Sequence, residues 1–313
     1  MKETFDFYNS LTIKSYNLNE TIRYQLKALD GLDAYTLRHT ENVANITCRL
    51  CEKLHLSKDF TIYCTTCAYL HDVGKIFIPP SILQKPSRLT DEEYNVMKTH
   101  TTIGYKICMN DPKLRPYAAG PYYHHEALNG TGYPNGLKKD QIPYEAQIIR
   151  VADEFEAITA KRQYKSHIGV VDALKILIEN ATPVPPKSFS EGIKNADVSK
   201  VGKIDKKILQ ALFKVVIDDT EYEIVAKSNY MDFLKGEIKR MNTALKYYKK
   251  MQDAKTDEMK EYHKEEIRMY LKPQEEPEKV PFILTEFEDT YNARKESVNS
   301  LYDEVKKIKK LKI

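Results

Sequence analysis

The chain has 313 residues, of which 42% are hydrophobic and 30% charged, a composition typical of a globular protein with a sizeable core. Its 49 Lys and Arg residues nearly balance 45 Asp and Glu residues, and the net charge of +4 excludes a strongly basic nucleic-acid-binding protein. The polar N-terminus lacks a secretory signal pattern, and no apolar run approaches the roughly 18 residues of a membrane span. We therefore expect a cytoplasmic protein that binds neither membrane nor nucleic acid.

Helical periodicity dominates the chain and strand-like alternation is almost absent, so the sequence predicts an all-α fold. Helices are predicted near 19–29, 34–54, 58–72, 91–110, 143–160, 169–180 and 204–217. Thr90 and Glu93 have the spacing of a capping box at the start of the fourth helix. The segment 181–203 has no apolar periodicity, and we expect it to be a mobile insertion.

Four of the five cysteines form two CxxC pairs, Cys48 with Cys51 and Cys64 with Cys67. Paired CxxC motifs can bind zinc. Here, however, each pair lies inside a predicted helix, where residues i and i+3 share one face and no glycine-containing turn is present. Because free cysteine is among the residue types most often buried, we interpret these four as reduced core residues.

The chain changes character near residue 217, after which charged residues of both signs become frequent. Two apolar series with coiled-coil-like spacing follow: Leu234, Ile238, Met241, Leu245 and Tyr248, then Val298, Leu301, Val305 and Ile308. Between them, LKPQEEPEKVPF carries three prolines and must interrupt a helix. We predict a charged helical extension over 218–313, either a hairpin that packs on its own domain or a homodimerisation coil.

Five of the eight histidines, all before residue 126, lie at predicted helix ends or breaks. They are His39, His71, His100, His124 and His125. Asp72 follows His71 in YLHDVGK, and Asp153 lies in an otherwise apolar helical pattern, IIRVADEFEAI. A carboxylate on a core-facing helix must be paired or metal-bound, because its desolvation is otherwise unfavourable. Taken alone, any single one of these histidines would be better explained as an ordinary core or surface residue.

Imidazoles and carboxylates together form the ligand set of catalytic iron, manganese or zinc rather than of a thiolate-built structural zinc site. Five histidines and two aspartates are too many for one ion. Since a carboxylate can bridge two ions, Asp72 is the natural shared ligand of a binuclear centre. The pattern therefore favours two divalent transition-metal ions, iron or manganese, that generate a hydroxide and clamp a phosphate.

In combination, these segments resemble the HD-GYP family, the branch of the HD-domain phosphohydrolases that hydrolyses cyclic di-GMP. The motifs are HDVGK at 71–75, HHE at 124–126, GYP at 132–134 and IPYEAQIIRVADEFEAITAKRQYK at 142–165, in that order. The resemblance covers about residues 20–217, after an N-terminal segment at 1–19. It implies an HD-domain helical bundle that hydrolyses cyclic di-GMP to linear pGpG, with further hydrolysis to GMP as an open alternative.

The resemblance also implies a role for each site residue. One ion would be held by His39, His71, Asp72 and Asp153, and the other by Asp72, His100, His124 and His125. Lys75 would face the scissile phosphate beside Asp72, where its ammonium offsets developing charge. Tyr133, Arg162 and Lys165 would contact the cyclic dinucleotide.

Two departures from the family pattern affect these expectations. Members with three metals carry a glutamate where this chain has Tyr35, so two metals are expected. Gln163 follows Arg162 where proline is usual, which implies a looser ligand-contacting segment. Two alternatives stay open: hydrolysis of another cyclic dinucleotide or a nucleotide, and a non-catalytic module that binds a cyclic dinucleotide and signals through the extension. Because every binuclear ligand position is filled, the sequence favours an enzyme.

Overall fold

The computed structural model describes residues 34–160, 168–183 and 201–313. Its secondary structure in these ranges is helical, apart from one isolated β-bridge between Asn129 and Lys138, so the all-α prediction is confirmed. The described residues form two compact units. One comprises the residues up to Val216 together with Leu311–Ile313, and the other comprises Ile217–Lys310. The segment 1–19, the predicted helix at 19–29 and most of the predicted insertion lie outside the described residues.

The first unit is a helical bundle. Its helices are α1 (Ala34–Lys53), α2 (Lys58–Leu70), α3 (Pro80–Leu83), α4 (Asp91–Lys98), α5 (His100–Asn110), α6 (Ala119–Tyr123), α7 (Tyr144–Thr159) and α8 (Val170–Ala181). Helix α9 (Lys206–Asp253) begins in this unit. Helices α1, α2 and α7 pack against one another, and α5 packs against α6 and against the 3-10 turn Val73–Phe77. The end of α2, where HDVGK begins, is therefore buried in the bundle.

Two predicted helices differ from those of the structure. The range 91–110 forms two helices, because the chain breaks at Thr99. Around this break the hydroxyls of Thr99 and Thr101 donate to the carbonyls of Val96 and Lys98 at 2.6 and 3.0 Å, and such local bonds compete with a continuous helix. The helix predicted at 204–217 instead continues to Asp253 as α9.

Helix starts follow their sequence signals closely. The hydroxyl of Thr90 accepts from the Glu93 amide at 3.3 Å, and the Glu93 carboxylate accepts from the Thr90 amide at 2.8 Å. The predicted capping box is therefore confirmed. Helix α2 begins in a similar way, because the Ser57 hydroxyl accepts from the Phe60 amide at 3.2 Å.

All five cysteines are free and buried, as the core interpretation requires. Burial raises the pKa of the Cys67 thiol well above its usual range and that of Cys108 to about 12. Thiolates are the metal-binding form of cysteine, so these thiols are poor ligands. No cysteine belongs to a potential metal-binding group in the part of the chain that the structure describes.

Replacing both Cys48 and Cys51 with alanine is expected to leave the metal content per chain unchanged. Thermal stability should fall, because each substitution removes a buried sulfur from the core. Elemental analysis beside a thermal melt measures both effects. A variant that melts cooperatively but has lost metal would contradict the core interpretation.

The second unit contains the rest of α9, α10 (Asp257–Arg268) and α11 (Val280–Lys310), and a 3-10 turn, Pro277–Lys279, precedes α11. The proline-rich segment interrupts the helices, as predicted. Val298 and Val305 on α11 pack in one buried cluster with Ile224 on α9, and a second cluster joins residues of α9, α10 and α11. Members of both apolar series thus pack within this unit, and the hairpin and the homodimer both stay predictions.

Among the helices that the structure describes, none is both long and apolar enough to span a membrane.

Candidate metal centre

The structure brings all seven predicted metal ligands together inside the first unit. They come from α1, the end of α2, the start of α5, the end of α6 and the middle of α7: His39, His71, Asp72, His100, His124, His125 and Asp153. Six of them are buried, and His125 has a side chain that is 25% exposed.

Three groups within this set could hold a metal ion, since the ligand atoms of each lie within 4.8 Å of one another. The first is His39, His71 and Asp153, the second is His100, His124 and His125, and the third is His71, Asp72 and His124. The first two groups correspond to the two sets implied by the sequence resemblance. The third contains the aspartate expected to join them.

The two carboxylate oxygens of Asp72 face different pairs of histidines. Oδ2 lies 3.5 Å from His39 Nε2 and 3.2 Å from His71 Nε2. Oδ1 lies 3.5 Å from His100 Nε2 and 4.0 Å from His124 Nε2. A carboxylate placed in this way can donate one oxygen to each of two cations.

Three histidines have the tautomer that a metal ligand requires. The Nδ1 atoms of His71, His100 and His124 lie 2.6, 2.7 and 3.0 Å from backbone carbonyl oxygens three or four residues earlier in the chain. Because a carbonyl only accepts, each Nδ1 must donate its hydrogen. A neutral ring in this state presents a lone pair at Nε2, directed toward the other ligands.

The residues present fit a bound cation. The Nε2 atoms of His100 and His124 face each other at 3.3 Å, and two lone pairs at that distance repel in the absence of a positive charge. His71 Nε2 and Asp72 Oδ1 are buried and have no hydrogen-bond partner among the described residues. Buried polar atoms without partners are rare in folded proteins and require an explanation. Metal ions held by the two ligand sets would be partners for these four atoms.

The electrostatics of the site also favour a cation. Burial acts to raise the pKa of Asp72, but the nearby His71 and Lys75 hold it well below its usual range. Burial acts in the same direction on Asp153, whose pKa is held low by its hydrogen bond with His39. Burial and neighbouring histidines lower the pKa of His124, so its ring is neutral near pH 7. Ionised carboxylates and neutral imidazoles are the forms that bind transition metals.

Glu156 was not identified from the sequence. It lies three residues after Asp153 on α7 and therefore on the same helix face. Its buried carboxylate contacts His39 Nδ1 and accepts a hydrogen bond from the Asn42 amide at 3.0 Å. Although burial would lower the pKa of His39, Asp153, Asp72 and Glu156 together raise it to about 11. The His39 ring therefore carries a proton that a bound metal ion would displace. A second acidic residue on an apolar helix face, in VADEFEAI, was the available signal.

A network of hydrogen bonds holds the chain around His125. The Arg150 guanidinium donates to the His125 and Glu126 carbonyls at 2.8 and 3.0 Å. The buried Glu126 carboxylate accepts from the amides of Asn135 and Leu137 at 2.7 and 2.8 Å. These bonds fix the GYP loop against the ligand-bearing segment.

Glycines in both signature motifs permit close packing of the backbone. A Cβ added to Gly74 would collide with the carbonyl of His100, and one added to Gly132 would collide with the backbone of Glu126 and Ala127. Only a residue without a side chain lets these segments approach so closely. HDVGK and GYP therefore contribute to the position of the histidines as well as to the pocket.

A pocket of about 290 Å³ opens onto the cluster. Its lining residues are Thr36, His39, Lys75, Leu83, Leu89, Tyr94, Met97, His100, His125 and Tyr133. The Lys75 ammonium donates to Asp72 Oδ2 at 2.5 Å, and its side chain is 20% exposed. Tyr133 has its ring centroid 4.7 Å from that of His125. Arg162 and Lys165 lie outside the described residues, so their contact with a ligand stays a prediction.

The sequence is similar to several characterised proteins. It is 45% identical over 145 residues to a cyclic di-GMP phosphodiesterase of Thermotoga maritima, which covers 46% of this chain and 39% of that protein. It is 38% identical over 148 residues to the cyclic di-GMP phosphodiesterase response regulator RpfG of Xanthomonas campestris, a match that covers 47% of this chain and 39% of that protein. It is also 34% identical over 165 residues to 3'3'-cGAMP-specific phosphodiesterase 3 of Vibrio cholerae, a match that covers 52% of this chain and 36% of that protein.

The chain thus spans about two fifths of the length of these relatives. The sequence profile of the HD domain matches residues 8–183, more than half of the chain. This range includes the ligand-bearing segments from His39 to Asp153. The chain belongs to the HD-domain family.

Proposed function

We propose that this protein is a metal-dependent phosphodiesterase that hydrolyses cyclic di-GMP to linear pGpG, with GMP as the alternative end product. The observation that carries the proposal is the position of Asp72, whose two oxygens face separate pairs of histidines. Such a carboxylate suits a binuclear centre, and binuclear centres suit phosphodiester hydrolysis. The relatives named as cyclic di-GMP phosphodiesterases support the choice of substrate.

Two divalent ions, iron or manganese, fit this set of imidazoles and carboxylates. His39, His71, Asp72 and Asp153 would hold one ion, and Asp72, His100, His124 and His125 the other. When bound, the ion pair would supply a hydroxide at neutral pH and neutralise charge on the phosphate. Tyr35 provides no carboxylate for a third ion.

The remaining roles belong to the chain's own side chains. Lys75 lines the pocket beside Asp72, where its ammonium can donate a hydrogen bond to a phosphate oxygen and stabilise charge on the leaving oxygen. Tyr133 forms part of the pocket wall. Arg162 and Lys165 would bind the dianionic ligand, since a guanidinium and an ammonium suit phosphate and base oxygens.

Another cyclic dinucleotide is the second candidate substrate. The similarity to a 3'3'-cGAMP-specific phosphodiesterase supports it, because that relative matches over 52% of this chain. The same centre would then act on the same class of bond, and only the base contacts would differ.

Elemental analysis of anaerobically purified protein, followed by turnover of cyclic di-GMP, 3'3'-cGAMP and cyclic di-AMP, tests the proposal. We expect about two ions per chain, cyclic di-GMP turnover with iron or manganese, and loss of turnover after chelation. Tight binding of cyclic di-GMP without metal-dependent turnover would replace the enzyme with a binding module.

Glu156→Gln is expected to weaken metal binding by about 10-fold to 100-fold, the range for removing a carboxylate that orients a metal-binding histidine. The amide keeps the size of the side chain but removes the charge beside His39 Nδ1. The dissociation constant for manganese, measured by calorimetry on the metal-free protein, is the direct readout.

Glu145→Gln is the matched control, because it makes the same change on the same helix. Glu145 accepts from the Tyr63 hydroxyl at 2.9 Å and does not belong to the metal-binding groups. Equal metal affinity in the two variants would show that Glu156 has no positioning role.

A further inference from the structure

One wall of the pocket beside the metal centre has no role in the proposed chemistry at the phosphate. Tyr94 and Met97 on α4 form part of it, together with Leu83, Leu89 and Tyr133. The Tyr94 side chain is 46% exposed, so much of its ring is accessible to a ligand. It meets Tyr133 edge to face, with ring centroids 6.4 Å apart and planes at 81°. Two aromatic side chains therefore line the space that leads from the metal ligands to solvent.

A positive charge lies next to these rings. The Lys98 ammonium is 5.1 Å from the centroid of Tyr94 and 6.0 Å from that of Tyr133. Tyr94 and Lys98 are four residues apart on α4 and so share one face of the helix. Within the described ranges, Lys98 forms no ion pair with a carboxylate. An ammonium over aromatic rings, without an acidic partner, is available to an anionic ligand.

We propose that one purine base of a cyclic dinucleotide stacks on Tyr94, with Lys98 facing the ribose-phosphate of the same nucleotide. This inference rests on the proposed function, which places the scissile phosphate at the metal centre. Aromatic rings stack with any base, because every base has a π face.

The break at Thr99 supports this placement. It separates α4, which carries Tyr94 and Lys98, from α5, which begins with the proposed metal ligand His100. Tyr94 and the proposed metal ligand His100 are thus held by adjacent helices, and the local hydrogen bonds around Thr99 fix the angle between these helices. A base on Tyr94 and a phosphate at His100 are then neighbouring parts of one ligand.

Tyr94→Ala should raise KM about 10-fold and leave kcat little changed, since stacking acts in both the ground state and the transition state. The factor should be similar for cyclic di-GMP, 3'3'-cGAMP and cyclic di-AMP, because stacking does not read base edges. Tyr94→Phe retains the aromatic ring, so its KM should rise less than that of Tyr94→Ala. Lys98→Met should raise KM at low salt and have less effect at high salt, where exposed charges are screened.

A fluorescence measurement tests direct contact. The chain contains no tryptophan, so Tyr94→Trp introduces a single reporter that retains a stacking surface. Titration with cyclic di-GMP should quench its emission as the base stacks on the indole. Tyr302→Trp on α11 is the matched control, because Tyr302 is 50% exposed and lies in the second unit, and its emission should not change.

The outcomes separate this inference from the proposed function. Normal turnover of cyclic di-GMP with an unquenched Tyr94→Trp and an unchanged KM in Tyr94→Ala would overturn the stacking proposal and leave the enzyme in place. Quenching of Tyr94→Trp without turnover in the native protein would support stacking and reject the enzyme. If Tyr94→Trp is not quenched and the native protein shows no turnover, both proposals are overturned.

Discussion

Asp72→Asn should lower cyclic di-GMP turnover on the order of 10⁴-fold or more, the scale for losing a group on which a whole catalytic centre depends. Asp72 is buried, and its two oxygens face both halves of the histidine cluster. An amide has the same shape but offers one neutral oxygen, so it cannot serve two cations. Metal content should therefore fall together with activity.

Elemental analysis and turnover of the same preparation measure the two effects. Asp172→Asn on α8 is the matched control, because Asp172 is exposed and pairs with Lys175 at the same spacing that joins Asp72 and Lys75. The control should retain metal and activity. Full metal content and full turnover in Asp72→Asn would falsify the bridging role.

Local sequence signals predicted the elements that carry the site. The apolar periodicity of α1, α2 and α7 and the capping box at Thr90 depend on residues close together in the chain, where helix rules apply directly. The helix break at Thr99 was missed. It depends on the side-chain hydrogen bonds of Thr99 and Thr101, which compete with the helix but leave its apolar pattern intact.

The residue types of the candidate site could be predicted, because His and Asp side chains take part in only a few kinds of site chemistry. Its geometry could not be predicted, since Glu156 meets His39 across 117 residues of sequence. No periodicity reports such a contact. The pocket wall that contains Tyr94 could not be predicted either, because the exposure of its side chains, and not their residue type, distinguishes a binding surface from core packing. These features follow from tertiary packing, which single-sequence patterns do not encode.

The charged helical extension shows a different limit of prediction from sequence. Two apolar series predicted paired helices, but their spacing fits a partner within the chain as well as one from a second chain. The structure places Val298 and Val305 against Ile224 in the same unit. The proline-containing turn Pro277–Lys279 directly precedes α11. The homodimer stays a prediction.

Lys75→Met should lower kcat by about 10²-fold to 10³-fold, the range for losing one electrostatic partner of a transition state. Methionine has a similar length and no charge, so the pocket keeps its shape. The Lys75 ammonium lies 2.5 Å from Asp72 Oδ2 and lines the pocket, a position from which it can reach a phosphate oxygen. KM should change less than kcat, because the charge on the leaving oxygen develops only during the reaction.

Because Lys75 contacts Asp72, its alternative role is to support metal binding, and the two roles predict different changes in metal content. The Lys75 ammonium occupies one lone pair of Asp72 Oδ2 and repels a cation nearby. Its removal should therefore leave metal affinity unchanged or stronger, while kcat falls. Lys175→Met, which removes the lysine of the exposed Asp172 pair, should alter neither quantity. If Lys75→Met instead loses metal in proportion to activity, and added manganese restores turnover, the lysine supports the metal centre and has no direct role at the phosphate.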